Sequence, residues 1–206
     1  QNNLLKRLLM FTGLVEETGK VLDCVSNSNG RELIITANKT MEDLSVNDSI
    51  CCSGICLTVT DIEKNNFKVY LVKETLDRTT AKYWEKGTII NLERSLLPST
   101  RIGGHFVQGH VDTLAKIIDI SPKSDSGIWK FELNKKIDRY IVEKGSISLD
   151  GISLTIAQRN KYNFSVALIP HTLSVTSLNN KKIGDFINVE VDIMAKYIES
   201  FVGKMS

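Results

Sequence analysis

SGICLTVTDIEKNNFKVYLVKETLDRTT, residues 53–80, and DGISLTIAQRNKYNFSVALIPHTLSVTS, residues 150–177, align without a gap at an offset of 97. That offset pairs Gly54 with Gly151 and Thr75 with Thr172. It continues outside the stretch, pairing Ser49 with Ser146, Gly87 with Gly184, Asn91 with Asn188 and Glu93 with Glu190. From Gly54 to Glu93 sixteen positions are identical. GLVEETGKV from Gly13 also resembles GHVDTLAKI from Gly109, at an offset of 96. A fixed internal period sets the architecture before any element is assigned, so the chain is written as two homologous halves that meet near GGHFVQG, residues 103–109.

Each half reads as strand. ICLTVTDI, FKVYLV and TIINLE, with their counterparts ISLTIAQ, FSVALI and FINVEV, are short, rich in β-branched and aromatic residues, and alternate at period two. Asn and Gly clusters such as EKNN and NSNGRE punctuate them. Many short strands in a unit of about 95 residues predict a small closed antiparallel barrel, which leaves no sheet edge exposed. Helix is expected to be sparse. TMEDL and KIDRYI are each long enough for one short helix, and DIMAKYIESFVGKM forms an amphipathic C-terminal helix with Met194, Ile198, Phe201 and Val202 on one side. With no second helix to pack on, that face is a candidate oligomer seam.

Bulk properties narrow the function. The 206 residues are 42% hydrophobic and 24% charged, ordinary for a soluble globular protein, and no apolar run approaches a membrane span. A net charge of +2, with 26 basic and 24 acidic residues interspersed, gives no phosphate-tracking stripe, so nucleic-acid binding is not expected. Cys24, Cys51, Cys52 and Cys56 fit neither a zinc spacing nor a disulfide framework; three crowd one expected strand region, and reduced thiols in the cytoplasm are the expectation. QNNLLKRLL lacks the apolar length and cleavage site of a secretory signal, and Met10 reads as the natural start, leaving residues 1–9 as an extension or remnant.

Period two also sorts the candidate chemistry. Leu57 and Val59 share one strand face with the core, so Cys56 and Thr58 look outward, as do Ser153 and Thr155 opposite Leu154 and Ile156. For a single Thr a solvated strand face is the ordinary reading, but the same polar pair in both halves argues for a pocket. The halves differ in chemistry at Ser53/Asp150, Cys56/Ser153, Lys73/Pro170 and Glu74/His171, which suggests two similar ligands in unequal roles. No P-loop, Rossmann fingerprint or nucleophile elbow occurs. His105 and His110, five apart, fall on opposite faces of a strand and do not form a helical metal pair, so no metal site is expected. His105 reads equally as a structural histidine, and His110 better as one facing a ligand.

MFTGLVEETGKV, GICLTVT, KETLDRTT, GGHFVQGHVD, KGSISLDGISLT and IPHTL together resemble the riboflavin synthase family, built of two lumazine-binding repeats, from Met10 to the C-terminal helix. The resemblance implies two six-stranded antiparallel Greek-key barrels, residues 10–105 and 106–192, and a helix, residues 193–206, that gathers three chains into a homotrimer. It implies dismutation of two molecules of 6,7-dimethyl-8-ribityllumazine to riboflavin and 5-amino-6-ribitylaminouracil, with no cofactor; lumazine synthase is the further partner to test.

The resemblance assigns an N-terminal pocket to Gly13, Leu14 and Val15, to Cys56, Leu57 and Thr58, and to Tyr70, Leu71, Val72, Lys73, Glu74 and Thr75. It assigns a C-terminal pocket to Gly109, His110 and Val111, to Lys144, to Ser153, Leu154 and Thr155, and to Leu168, Ile169, Pro170, His171, Thr172 and Leu173. Residues tied to catalysis in the family align with Phe11, Ser49, Cys56, His110, Asp150, Ser153 and Asp192, with Ser153 expected to hydrogen-bond Asp150 or Asp192. Ser53 departs from the family's usual Asn before its glycine. The alternative is a non-catalytic relative that binds a lumazine or flavin as an optical antenna. Such relatives erode the C-terminal site, whereas Lys144, Asp150, Ser153, Thr155 and IPHTL all stand here.

Overall fold

The computed structural model describes residues 10–123 and 126–203, so the reading of residues 1–9 as an extension lies outside the described residues. Strands β1 (Glu17–Asn27), β2 (Gly30–Thr36), β3 (Ser49–Cys52), β4 (Ile55–Glu63), β5 (Asn66–Val72) and β6 (Ile89–Arg94) close into an antiparallel barrel. Their order around it is β1-β2-β5-β4-β3-β6. The second barrel repeats the order with β7 (Thr113–Lys123), β8 (Ser126–Glu132), β9 (Ser146–Leu149), β10 (Ile152–Arg159), β11 (Asn163–Leu168) and β12 (Phe186–Val191). In each, two connections skip over neighbouring strands in Greek-key fashion.

Alternation fills both interiors as period two requires. Leu33, Ile35, Leu57, Val59, Phe67, Val69, Leu71 and Leu92 pack in the first barrel; Ile117, Phe131, Ile147, Ile156, Phe164, Val166 and Leu168 pack in the second. Each such side chain contributes about 1.5–3 kcal/mol by leaving water. Register shifts at Val21/Asp23 and Val59/Asp61 recur at Ile117/Asp119 and Ile156/Gln158. These bulges add the local twist that a six-stranded barrel needs to close.

The structure refines the short elements. TMEDL and KIDRYI yield only 3₁₀ turns, Lys39–Glu42 and Asp138–Tyr140. Two helices not expected from periodicity, α1 (Lys73–Arg78) and α2 (Pro170–Val175), follow β5 and β11. Each spans six residues, too few to show a 3.6-residue pattern. The expected terminal helix is α3 (Ile193–Val202), with Asp192 at its N-cap accepting the Met194 N–H at 2.9 Å. Cys51 and Cys52 lie on β3 and Cys56 on β4, so the cysteine cluster spans a hairpin rather than one strand.

That hairpin and its counterpart join the barrels. Ser53–Gly54 and Asp150–Gly151 all adopt positive φ, the backbone of a two-residue hairpin turn. The turns abut: a Cβ on Gly54 would lie 2.8 Å from the Gly151 nitrogen. Asn91 donates its side-chain N–H to the Asp150 carbonyl and accepts from Ser177 N–H; Asn188 does the same with the Ser53 carbonyl and Thr80 N–H, at 2.7–2.8 Å throughout. The Asn91 N–H donates to the Ser53 hydroxyl at 3.0 Å, as the Asn188 N–H does to the Asp150 carboxylate at 2.8 Å. Ser53 therefore supplies the acceptor that its counterpart Asp150 supplies, and both are buried framework at the contact.

Candidate functional site

Residues 11–15 and 107–111 run between the barrels, and each packs on the barrel of the other half. Phe11 and Val107 bridge them antiparallel, with N–H to carbonyl distances of 2.7 and 3.0 Å. Val15 then packs against the C-terminal core and Val111 against the N-terminal core. Ser153 N–H donates to the Gly13 carbonyl and Cys56 N–H to the Gly109 carbonyl, both at 2.8 Å. A Cβ on either glycine would sit 2.6 Å from the nitrogen below it, and both have φ near +77°, so only glycine lets the segments lie this close.

The pockets are consequently composed differently from the expectation. Gly13 lies on Ser153, and Val15 packs on the same core as Leu154 and Leu173 of α2; Gly109, His110 and Val111 belong with Cys56 and α1. A hollow of about 220 Å³ is lined by Ile55, Cys56, Glu74, Thr75, Arg78, Thr79, Gly109, His110 and Val111, and by no residue of the Ser153 group. A larger groove of about 860 Å³ beside β3 and β6 reaches Leu14 and Ser49 but touches neither Cys56 nor Ser153.

Of the other expected residues, Thr58, Thr155, Ile169, Pro170 and His171 are exposed around the clefts, while Leu57, Leu71 and Leu168 point into the barrel cores. Tyr70 donates its hydroxyl to Asn27, on the far side of β2. Val72, Lys73 and Lys144 are exposed, Lys144 with φ 68° in the turn before β9. Thr172 and Leu173 are half-buried on α2. Phe11 is fully buried between the barrels with Cys51 and Val107, against Cys56.

At Cys56, burial and the nearby Glu190 charge push the thiol up, against a Ser49 hydrogen bond that pulls it down. The group is thus a thiol near neutrality and acts as a hydrogen-bonding group rather than a thiolate. At Ser153 the partner comes from the linker between the barrels. His105 Nδ1 lies 2.7 Å from the Ser153 hydroxyl, whereas no hydrogen bond joins Ser153 to Asp150 or Asp192 among the described residues. Asp150 is instead tied to Asn188 and lies 3.5 Å from Lys181.

His105 is buried, its Nε2 has no protein partner among the described residues, and burial lowers its pKa while the Asp192 charge raises it. The linker holding both histidines is not a strand, so the opposite-faces argument does not apply. His105 is the buried one and His110 the exposed one. Two glycines before His105 were the available signal: Gly104 leaves no room for a Cβ, which would lie 2.7 Å from that of Ser153. No cluster of three metal-ligating side chains occurs among the described residues, and no helix there is long and apolar enough to cross a membrane.

The lumazine binding domain model matches twice, at residues 12–95 and 108–192. Riboflavin synthase of Actinobacillus pleuropneumoniae is 41% identical over 95% of this chain and 91% of its own length. The Schizosaccharomyces pombe riboflavin synthase is 43% identical over 94% of each. Among solved structures, LumP complexed with 6,7-dimethyl-8-(1'-D-ribityl) lumazine superposes with a TM-score of 0.80 at 21% identity, over 88% of this chain and 99% of that one. LumP complexed with riboflavin gives a TM-score of 0.82 at 22% identity over the same shares. At that identity the likeness to LumP concerns the fold.

Proposed function

The chain belongs to the riboflavin synthase family, with a lumazine-binding domain in each half, and from that premise we propose that it converts two molecules of 6,7-dimethyl-8-ribityllumazine into riboflavin and 5-amino-6-ribitylaminouracil. One lumazine gives up a four-carbon unit and the other accepts it, so the reaction balances between two copies of one substrate. The observation that carries the proposal is the pair of related but unlike polar sites, one a hollow with a thiol at Cys56 and the other a hydroxyl and imidazole paired at Ser153 and His105. One substrate in two roles calls for that design.

The 7-methyl group of the lumazine is acidic because its carbanion delocalises into the ring. The protein's work is then to align two rings, move a proton and stabilise an anion. With His105 Nδ1 accepting the Ser153 O–H, the hydroxyl gains basicity, and the buried Nε2 carries the imidazole's own proton. His110 over the Cys56 cleft and the Cys56 thiol are hydrogen-bonding groups for the second ring. Asp192 supports the His105 charge that forms in transit. Phe11, Ser49 and Asp150 act through packing, the Cys56 thiol and the barrel contact respectively.

A hollow of about 220 Å³ falls below the roughly 300–1,000 Å³ usual for ligand sites and has no room for two stacked rings. The working centre therefore joins the Cys56 cleft of one chain to the Ser153 cleft of another. The exposed apolar face of α3, with Met194, Tyr197, Ile198, Phe201 and Val202, is the seam of a homotrimer that brings them together. Lumazine synthase is a further partner to test by co-purification. Incubation of the purified protein with 6,7-dimethyl-8-ribityllumazine should yield riboflavin; tight binding without turnover would replace this reading with the antenna role.

A further inference from the structure

The last strand of each barrel carries a buried glutamate that the proposed reaction does not use. On β6, Glu93 accepts the N–H and hydroxyl of Thr12, both at 2.7 Å, and the Gly13 N–H at 3.0 Å. On β12, Glu190 accepts the N–H groups of Gln108, Gly109 and His110 at 2.7, 2.9 and 3.0 Å. Neither makes an ion pair among the described residues, although exposure is only 5% and 2%. A carboxylate withdrawn from water this far is costly unless its acceptor geometry is needed, and an apolar side chain would fill the space at less cost.

What the geometry accomplishes is visible one step further on. The segment that Glu93 fixes goes on to hydrogen-bond Ser153 through the Gly13 carbonyl, and the segment that Glu190 fixes reaches Cys56 through the Gly109 carbonyl. Each glutamate stands on one barrel and holds the loop that roofs the other barrel's cleft. Both loops turn on glycines at positive φ where an added Cβ would come within 2.6 Å of the strand beneath, so each loop lies directly on that strand. We infer that Glu93 and Glu190 are crossed positioning residues: Glu93, on the N-terminal barrel, sets the Ser153 cleft of the C-terminal barrel, and Glu190 sets the Cys56 cleft of the N-terminal barrel. The assignment rests on the reading of these clefts as lumazine or flavin sites.

Glu190→Gln and Glu93→Gln in the full chain test it, because glutamine keeps the size but turns an NH2 group toward N–H donors. The readout is alkylation of Cys56 by iodoacetamide, followed by peptide mass spectrometry with and without riboflavin. In the unaltered chain riboflavin shields Cys56. Glu190→Gln should need about tenfold more riboflavin for equal shielding, the loss expected for a charged hydrogen bond, while Glu93→Gln should shift it less than about threefold. A larger shift from Glu93→Gln, or equal shifts from both, would overturn the crossed assignment. If a glutamine variant does not fold, Glu190→Asp and Glu93→Asp, which keep the charge but shorten the reach, are read the same way. If riboflavin fails to shield Cys56 even in the unaltered chain, the ligand reading fails. The clamp is then judged by amide hydrogen exchange, where Glu190→Gln should speed Gln108, Gly109 and His110 but not Thr12 or Gly13, and Glu93→Gln should do the reverse; a variant that speeds the other segment equally refutes it.

Discussion

Ser153 and His105 meet because a linker residue is carried across to the C-terminal barrel, and the pair predicts unequal consequences for the two clefts. Ser153→Ala should lower kcat by about 10²–10⁴ with little change in KM, since proton transfer matters chiefly in the transition state. Cys56→Ser, which keeps a hydrogen-bonding group, should be milder; steady-state kinetics giving equal losses would mean the clefts are not differentiated. The pH dependence follows from His105, whose pKa burial lowers. Its folded value lies below its unfolded one, so its contribution to stability is full above the unfolded pKa, about 6.5, and is lost as pH falls through the folded value. Glu93 and Glu190, both pushed up to about 7 by burial, work in the opposite sense: their contribution is full below about 4.5 and fades as pH rises through 7. The stability gap between the unaltered protein and His105→Asn isolates the histidine. In urea unfolding that gap should narrow as pH falls below 6.5, and a constant gap would contradict a neutral buried imidazole.

At the scale of elements, the strands were readable because barrel interiors impose period two, and the repeat let each half check the other. The C-terminal helix was readable from its amphipathic stripe. What sequence could not convey is the crossing of residues 11–15 and 107–111 between barrels. Such a segment has no periodicity, and homology between halves aligns Gly13 with Gly109 without saying which barrel either one touches. For the same reason the sequence does not bring His105 to Ser153, and α1 and α2 are too short to show a helical period. The exposed stripe on α3 carries its own prediction. Truncation after Asp192 should leave both barrels folded by circular dichroism but abolish the proposed trimer in native mass spectrometry. Turnover should fall by about a hundredfold or more once rings are no longer held together. A monomeric truncate with full activity would remove the helix from the account.

For the molecule as a whole, the duplication explains why one chain carries two related polar sites, and the crossed segments explain why each is built from both halves. Sequence sufficed for the repeat, the barrels and the unlike residues at Cys56 and Ser153; the partition of each cleft between halves emerged only from packing. Turnover is expected to need the Cys56 site of one chain and the Ser153 site of another. Co-refolding Cys56→Ala chains with Ser153→Ala chains, each nearly inactive alone, puts this to the test. Mixed assemblies, with composition confirmed by native mass spectrometry, should regain a substantial fraction of riboflavin formation, because some contacts then join two intact clefts. Confirmed mixed assemblies that stay as inactive as either parent would contradict it.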